Sequence, residues 1–174
     1  AVKTGMLGAA AVVETVAERI RAHRLPQYVL DPVMVATSGD RLLHADAELR
    51  GMRDMGLRGR FSYGPAQGMP NDQPMDLDGL AKIKREWMPN DGMLTLGINS
   101  RNVGADPNPL RGNIPLDTVR KEWGGARALG LPITLHTSGP SPIKYLDDAG
   151  LLAPDVQLVH PLLTTAEERR ILQE

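Results

Sequence analysis

The chain has 174 residues, 41% of them hydrophobic and 24% charged, a composition typical of a soluble globular protein with one domain or two small ones. Its net charge of -1 and its 3% of aromatic residues argue against a nucleic-acid or anionic-membrane partner. The lack of cysteine excludes disulfides, thiolate metal sites and a cysteine nucleophile. With no apolar run near the ~20 residues of a membrane span, we expect a cytoplasmic protein, or one that exists only through recombinant expression.

Six short apolar runs predict β-strands, because each is bounded by glycine, proline or polar residues. The runs lie at 2–7, 28–33, 58–63, 93–98, 132–136 and 156–160. Helical patterns separate them, so we predict an α/β fold of about six βα units with a parallel sheet. Either a partial (βα)8 barrel, two units short of closure, or an open doubly wound three-layer sheet fits this pattern.

Apolar side chains at helical spacing place helices between these strands. The stripes consist of Val12, Val13, Val16 and Ile20; Leu49 and Met52; Leu77, Leu80, Ile83 and Trp87; Val119, Trp123, Ala126 and Leu129; and Ile143 and Leu146. Thr165 followed by Glu168 predicts a capping box at the last helix. Gly56, Gly130 and Gly150 each precede a leucine and a strand, which predicts left-handed helix ends. Both chain ends fall within predicted elements and look cut from a longer polypeptide.

The carboxyl ends of the strands are where either architecture places its chemistry. Asp31 lies near the end of the second predicted strand, and His136 and His160 end the fifth and sixth. Parallel neighbours lie ~4.8 Å apart and bring their carboxyl ends to one edge. We therefore predict that His136 and His160 lie on neighbouring strands at the same edge of one sheet.

The first quarter of the chain resembles a known kinase family. The opening VKTGMLG, combined with LDPVMVATSGDRLL, is similar to an internal segment of hydroxymethylpyrimidine phosphate kinase, of the ribokinase-like superfamily, over residues 1–43. The resemblance implies that Asp31 lies near the Mg-nucleotide phosphates. The family's glycine-rich GTGC-type anion hole is absent, since HTSGPSP lacks its aspartate and cysteine. We therefore expect Asp31 to act here as a strand-end carboxylate that caps a loop.

The remaining residues, 44–174, resemble a different enzyme family. The stretches GMLTLGINSRN, VRKEWGGARALGLPITLHTSG and VQLVHPLLTTAEERRILQE are similar to the third to sixth βα units of a metal-dependent amidohydrolase of the cytosine deaminase and triazine hydrolase type, a (βα)8 barrel. The resemblance implies that His136 and His160 belong to a metal site. Such a metal lowers the pKa of a bound water, and the hydroxide attacks a ring carbon. It also implies that Gln67, after the third strand, contacts substrate.

The rest of that metal site is missing. The family takes two further ligands from a His-x-His on its first strand and one from an aspartate after its eighth. This sequence has no His-x-His, and its other histidines are His23 and His44. Catalytic zinc normally has three protein ligands and a water. His136 and His160 therefore form a vestigial half-site, and we expect no bound cofactor, with zinc or another divalent metal as the alternative.

The two resemblances meet near Leu43-His44 and neither is complete, so we predict a chimera: a kinase-like βαβ segment at 1–43 and an amidohydrolase-like partial barrel at 44–174, packed as one domain. The leading hypothesis is a folded scaffold with no intact catalytic site. One alternative is a residual amidohydrolase whose metal site is completed by oligomerisation or by relocated ligands such as Asp31. Another is a phosphate or nucleotide binder. Open sheet edges predict a homodimer or larger oligomer.

Overall fold

Strands and helices alternate along the described part of the chain, which in this computed structural model comprises residues 2–4, 10–24, 28–30, 45–56, 58–65, 68–88, 92–104, 113–137 and 141–173. The strands are β1 (Val2–Thr4), β2 (Tyr28–Leu30), β3 (Gly59–Tyr63), β4 (Leu94–Ser100), β5 (Ile133–His136) and β6 (Val156–Val159). The helices are α1 (Ala10–Ala22), α2 (Ala45–Asp54), α3 (Leu77–Trp87), α4 (Leu116–Ala128), α5 (Ile143–Asp148) and α6 (Ala166–Ile171). This alternation confirms the predicted α/β class.

The strands within these ranges form two sheets. β1 pairs in parallel with β2, with Val2 opposite Tyr28. β3, β4, β5 and β6 form an open four-stranded parallel sheet in chain order. Ile133 of β5 lies opposite Ile98 of β4 on one side and Val156 of β6 on the other. Consecutive strands of a (βα)8 barrel have this order, so the sheet has the topology of a partial barrel.

The chain divides into two compact units. The first comprises 1–61, 66–69 and 87–95, and the second comprises 62–65, 70–86 and 96–174. The first unit therefore contains β1, β2, α1, α2 and the first residues of β3 and β4, while the second contains most of the four-stranded sheet with the later helices. That the two parental segments pack as one domain stays a prediction.

The first unit has a small apolar core. Its buried side chains include Leu49 and Met52 of α2 and Ala17 of α1, together with Phe61 and Leu94. Val12, which the helical stripe places on the apolar face of α1, is exposed instead. No helix within the described ranges is both long and apolar enough to cross a membrane.

The second unit has a denser core between the sheet and its helices. Trp123 and Val119 of α4 are fully buried, as are Ile98, Ile133 and Leu135 of the central strands. One face of β4 is buried at Leu94, Leu96, Ile98 and Ser100, whereas Thr95 and Asn99 on the other face are exposed. Burial of this face fixes the strand and hence the position of the residues that follow it.

The helix-ending signals read from the sequence are confirmed. Gly56, Gly130 and Gly150 have φ of 63°, 63° and 64°, the left-handed conformation that glycine adopts without a Cβ penalty. After Gly130, the N–H of Leu131 donates to the carbonyl of Ala126 at 2.9 Å, the six-to-one bond of a Schellman motif. The Thr165–Glu168 capping box is also present at the start of α6.

Candidate functional site

His136 and His160 lie together at the carboxyl edge of the four-stranded sheet. His136 is the last residue of β5 and pairs with Val159, the last residue of β6, which His160 follows. The ring centroids are 5.6 Å apart and the ring planes are tilted by 53°. The structure thus brings the two histidines to one edge on neighbouring strands, as their strand-end positions predicted. Their role as metal ligands stays a prediction.

The backbone around the two rings is fixed by short local bonds. The backbone N–H and the hydroxyl of Thr137 both donate to the carbonyl of Val159, each at 2.9 Å. His160 has φ of 60°, a left-handed conformation that ends β6 and costs a residue with a Cβ roughly 1–2 kcal/mol. Its carbonyl accepts the N–H of Leu162 at 2.7 Å. The turn at His160 therefore directs its ring, and Thr137 ties the exits of the two strands together.

The ring separation suits two ligands of a single small metal ion. A zinc ion at 2.0–2.1 Å from one nitrogen of each ring lies about 3 Å from each centroid, and ligands at a tetrahedral angle then have centroids about 5 Å apart. The observed 5.6 Å is close to that separation. Both rings are exposed, so water can fill the other coordination positions.

Within the described ranges, no group of three or more His, Cys, Asp or Glu side chains could bind a metal ion. Three other candidates from the sequence, Asp31, His44 and Gln67, lie outside the described residues. His23 is exposed just after α1, in the first unit. On the residues that the structure describes, the arrangement is therefore a pair of exposed imidazole rings at one sheet edge, with no third metal-ligating side chain grouped with them.

Sequence reasoning did not identify a buried ion pair at this edge. Arg101, which directly follows β4, contacts Glu122 of α4 through Nη2 and Oε1 at 2.5 Å, and Glu122 is 0% exposed. Next to the pair, the indole N–H of Trp123 donates to the hydroxyl of Ser100 at 2.9 Å. The signal was available, because Glu122 interrupts the apolar stripe formed by Val119, Trp123 and their neighbours. A carboxylate at such a position needs a partner.

A second buried carboxylate lies in the first unit. Glu48 of α2 is 4% exposed, and its Oε2 has no hydrogen-bond partner among the described residues. Burial raises the pKa of Glu48 to about 7. It is therefore a titratable group outside the histidine pair that the sequence pattern did not indicate.

The N-terminal part of the chain is similar in sequence to known proteins. The model of the phosphomethylpyrimidine kinase family matches residues 1–54, further than the expected boundary at 43. The thiamine biosynthesis multifunctional protein ThiED of Corynebacterium glutamicum is 58% identical over 48 residues, which are 28% of this chain and 6% of that protein. A hydroxymethylpyrimidine/phosphomethylpyrimidine kinase of Staphylococcus aureus is 44% identical over 48 residues, 28% of this chain and 17% of that protein. The chain thus spans only a small fraction of these relatives.

Solved structures match the fold over nearly the whole chain. An amidohydrolase from an environmental sample of the Sargasso Sea has a TM-score of 0.60 at 19% identity, covering 94% of this chain and 40% of that one. A mutant of atrazine chlorohydrolase from Arthrobacter aurescens, solved with zinc and atraton, has a TM-score of 0.61 at 13% identity, with the same coverage. At these identities the likeness concerns the fold alone. The chain thus combines a kinase-like N-terminal segment with the fold of part of an amidohydrolase.

Proposed function

We propose that this chain is a hybrid α/β scaffold, in which a phosphomethylpyrimidine kinase-like segment is joined to an amidohydrolase-like remainder and neither parental catalytic site is complete. The observation that carries the proposal is the histidine pair itself: two imidazole rings lie together at the sheet edge, and no third His, Cys, Asp or Glu of the described residues is grouped with them. A hydrolytic zinc site needs about three protein ligands to bind the ion and acidify its water.

The kinase-like part supports the same proposal. Its strand-end Asp31 belongs to the matched segment, but the sequence has no GTGC-type anion hole to neutralise a transferred phosphate. Phosphoryl transfer depends almost entirely on positioning and charge neutralisation. A chain without that anion hole is therefore expected to lack kinase turnover.

A residual metal-dependent amidohydrolase is the second candidate, and the 5.6 Å separation of the two rings favours it. Such a site needs ligands from elsewhere, and a second copy of the chain could supply them. Three exposed leucines close to His160 or to the end of α6 offer an apolar contact: Leu162, Leu163 and Leu172. β6 is also an outer strand of the described sheet, and an outer strand can pair with another chain. We therefore propose self-association as well.

Zinc content separates the two candidates. The chain and the variants His136→Ala, His160→Ala and His23→Ala are purified, dialysed against metal-free buffer and analysed for zinc, then titrated with zinc against a chromophoric indicator. The scaffold proposal expects far less than one zinc per chain and weak binding, reduced in the first two variants and unchanged in His23→Ala. One tightly bound zinc per chain that either site variant removes, with hydrolysis of a triazine or cytosine, would instead establish the enzyme.

Sedimentation equilibrium tests the association. We expect the chain to sediment as a dimer or larger species, and Leu163→Asp to shift it towards the monomer because it places a charge in the apolar contact. Val12→Asp, which alters an exposed apolar side chain of the first unit, is the matched control and is expected to change nothing. A single 18.9 kDa species at micromolar concentration contradicts the association without affecting the zinc result.

A further inference from the structure

Residues 70–76, which we call the strap, directly precede α3 in the second unit. Most strap side chains are exposed, and only Met75, at 2% exposed, is buried. The strap has one internal backbone bond among the described contacts, from the N–H of Gln73 to the carbonyl of Pro70 at 3.1 Å. Its position must therefore depend on contacts to other parts of the unit.

Those contacts converge on one guanidinium. Nη1 of Arg101 donates to the carbonyl of Pro70 at 3.0 Å, and Nη2 donates to the carbonyl of Gln73 at 2.6 Å. Nη2 also donates to Oε1 of Glu122 at 2.5 Å. The planar fork of an arginine can meet several acceptors at once, which a lysine ammonium cannot do with the same geometry. Arg101 therefore connects two carbonyls of one strap turn to α4.

Glu122 supplies the other anchor. Its Oε1 accepts the N–H of Met75 at 2.8 Å, in addition to the bond from Arg101. One buried carboxylate oxygen thus binds the strap directly and orients the arginine that binds it twice more. Beyond this pair, two strap side chains make described bonds: the amide of Asn71 donates to the carbonyl of Asn113 at 3.3 Å, and Oδ1 of Asp76 accepts the N–H of Gly79 at 2.8 Å.

The pair is incompletely hydrogen-bonded. Nε of Arg101 and Oε2 of Glu122 are buried and have no partner among the described residues. Buried charged groups with unmet hydrogen bonds carry a desolvation cost that water can relieve. Opening the strap would hydrate both groups, while the sheet and α4 would keep their apolar contacts. This asymmetry lowers the free energy of opening the strap relative to that of unfolding the unit.

We infer that the strap opens as a unit while the sheet stays folded, and that the Arg101–Glu122 pair sets how often it opens. The strap lies at the carboxyl edge, because Arg101 directly follows Ser100, which pairs with the residue before His136. The strap therefore lies at the same edge of the sheet as the strand ends on which the candidate site is built. The inference depends on neither metal binding nor catalysis.

Native-state hydrogen exchange of the full chain tests this inference, with Arg101→Lys as the first variant. Lysine keeps the charge beside Glu122 but loses the fork that reaches Pro70 and Gln73. We expect strap amides such as that of Met75 to exchange roughly 10- to 100-fold faster, as for the loss of hydrogen bonds to charged groups. Amides of β4 and α4 that exchange only through unfolding of the whole unit should accelerate as well, because the unfolded state also lacks these bonds. Arg127→Lys is the matched control: it alters another arginine–carboxylate pair on α4 that stays intact when the strap opens, so it should accelerate β4 and α4 amides but not strap amides.

Glu122→Gln provides an independent second variant, because glutamine can still accept from Met75 but no longer balances the charge of Arg101. It should also accelerate the strap amides. If Arg127→Lys accelerates strap amides by the same factor as β4 and α4 amides, the strap exchanges only when the whole unit unfolds and the inference fails. It also fails if strap exchange in Arg101→Lys equals that in Arg127→Lys.

Discussion

The two ends of the four-stranded sheet use arginine–carboxylate pairs in different ways. At the amino end, Arg127 of α4 contacts Asp155 through two parallel bonds of 2.8 and 3.0 Å and donates to the carbonyl of Leu151 at 2.7 Å. This pair remains about 30% exposed, so water reaches it. At the carboxyl end, Glu122 is fully buried and the side chain of Arg101 is only 13% exposed, and the pair leaves two buried polar atoms without described partners.

The two pairs therefore have different roles: the amino-end pair stabilises the fold, and the carboxyl-end pair positions a segment. The amino-end pair joins α4 to the segment before β6 at little desolvation cost. The carboxyl-end pair costs more to bury and instead positions a segment, next to two exposed histidines that contribute little to the core. Parallel α/β folds commonly divide these roles in this way, with stability at one edge and chemistry at the other.

Breaking the buried pair should produce the largest effect. Arg101→Met leaves the fully buried Glu122 carboxylate without its counter-charge, and we expect a loss of about 3–5 kcal/mol in the free energy of unfolding. Arg127→Met, at the amino end, should cost only about 1 kcal/mol because its partner stays hydrated. Urea unfolding followed by tryptophan fluorescence measures both.

The double variant Arg101→Met/Glu122→Leu sharpens that comparison. It removes both charges together, so most of the stability lost in Arg101→Met should return, apart from the bond to Met75. Equal losses in Arg101→Met and Arg127→Met would show that the two ends do not differ as described. A double variant as unstable as Arg101→Met would assign the loss to packing rather than to charge.

Substitution of a glycine that ends a helix should have an effect of intermediate size on stability at the amino end of the sheet. Gly130→Ala should destabilise the second unit by about 1–2 kcal/mol, because its φ of 63° is strained for alanine although the space is open. Gly124→Ala is the matched control on the same helix: it also has open space, but its conformation is helical. There alanine should stabilise by about 0.5–1 kcal/mol. Thermal unfolding of both variants tests the opposite signs.

The sequence sufficed for features that depend on local patterns. Strand and helix positions follow from apolar periodicity and from the glycine–leucine punctuation, which is why the ends at Gly130 and Gly150 were predictable. The histidine pair followed from one further rule, that parallel strands end at a common edge. The strand predicted at 156–160 ends in the structure at Val159, one residue earlier than predicted, because His160 has a left-handed backbone conformation.

Features that depend on distant contacts were not predictable in this way. Glu122 lies in an apolar helical stripe, and only its contacts with Arg101 and Met75, far apart in sequence, explain a carboxylate there. The separation of the strands into two sheets also has no local signal, since all six runs have similar composition. Asp31 and Gln67 lie outside the described residues, so the roles proposed for them stay predictions.

The smallest expected effect concerns pH and the amino-end pair. The hydrogen bond from Arg127, followed by its charge, lowers the pKa of Asp155 against an opposing effect of burial. Because the folded-state pKa lies below the ordinary 3.8, the stabilisation is complete above that pH and is lost as the pH falls through the folded-state value. Asp155→Asn should therefore lose up to about 1 kcal/mol at pH 7, and its unfolding free energy should converge with that of the parent chain as the pH falls through the lowered folded-state pKa of Asp155.

Asp148→Asn is the matched control for that measurement, since it alters an exposed pair with Lys144 within one helix. Its effect should be smaller and should disappear in high salt, because solvent and ions screen exposed charges. The Arg127–Asp155 effect should persist in part, since two parallel bonds fix its geometry. If the difference in unfolding free energy between Asp155→Asn and the parent chain stays constant from pH 7 to pH 3, Asp155 stabilises by packing and not by its charge. The amino end would then resemble an apolar contact, and the contrast with the carboxyl end would rest on the histidines and the strap alone.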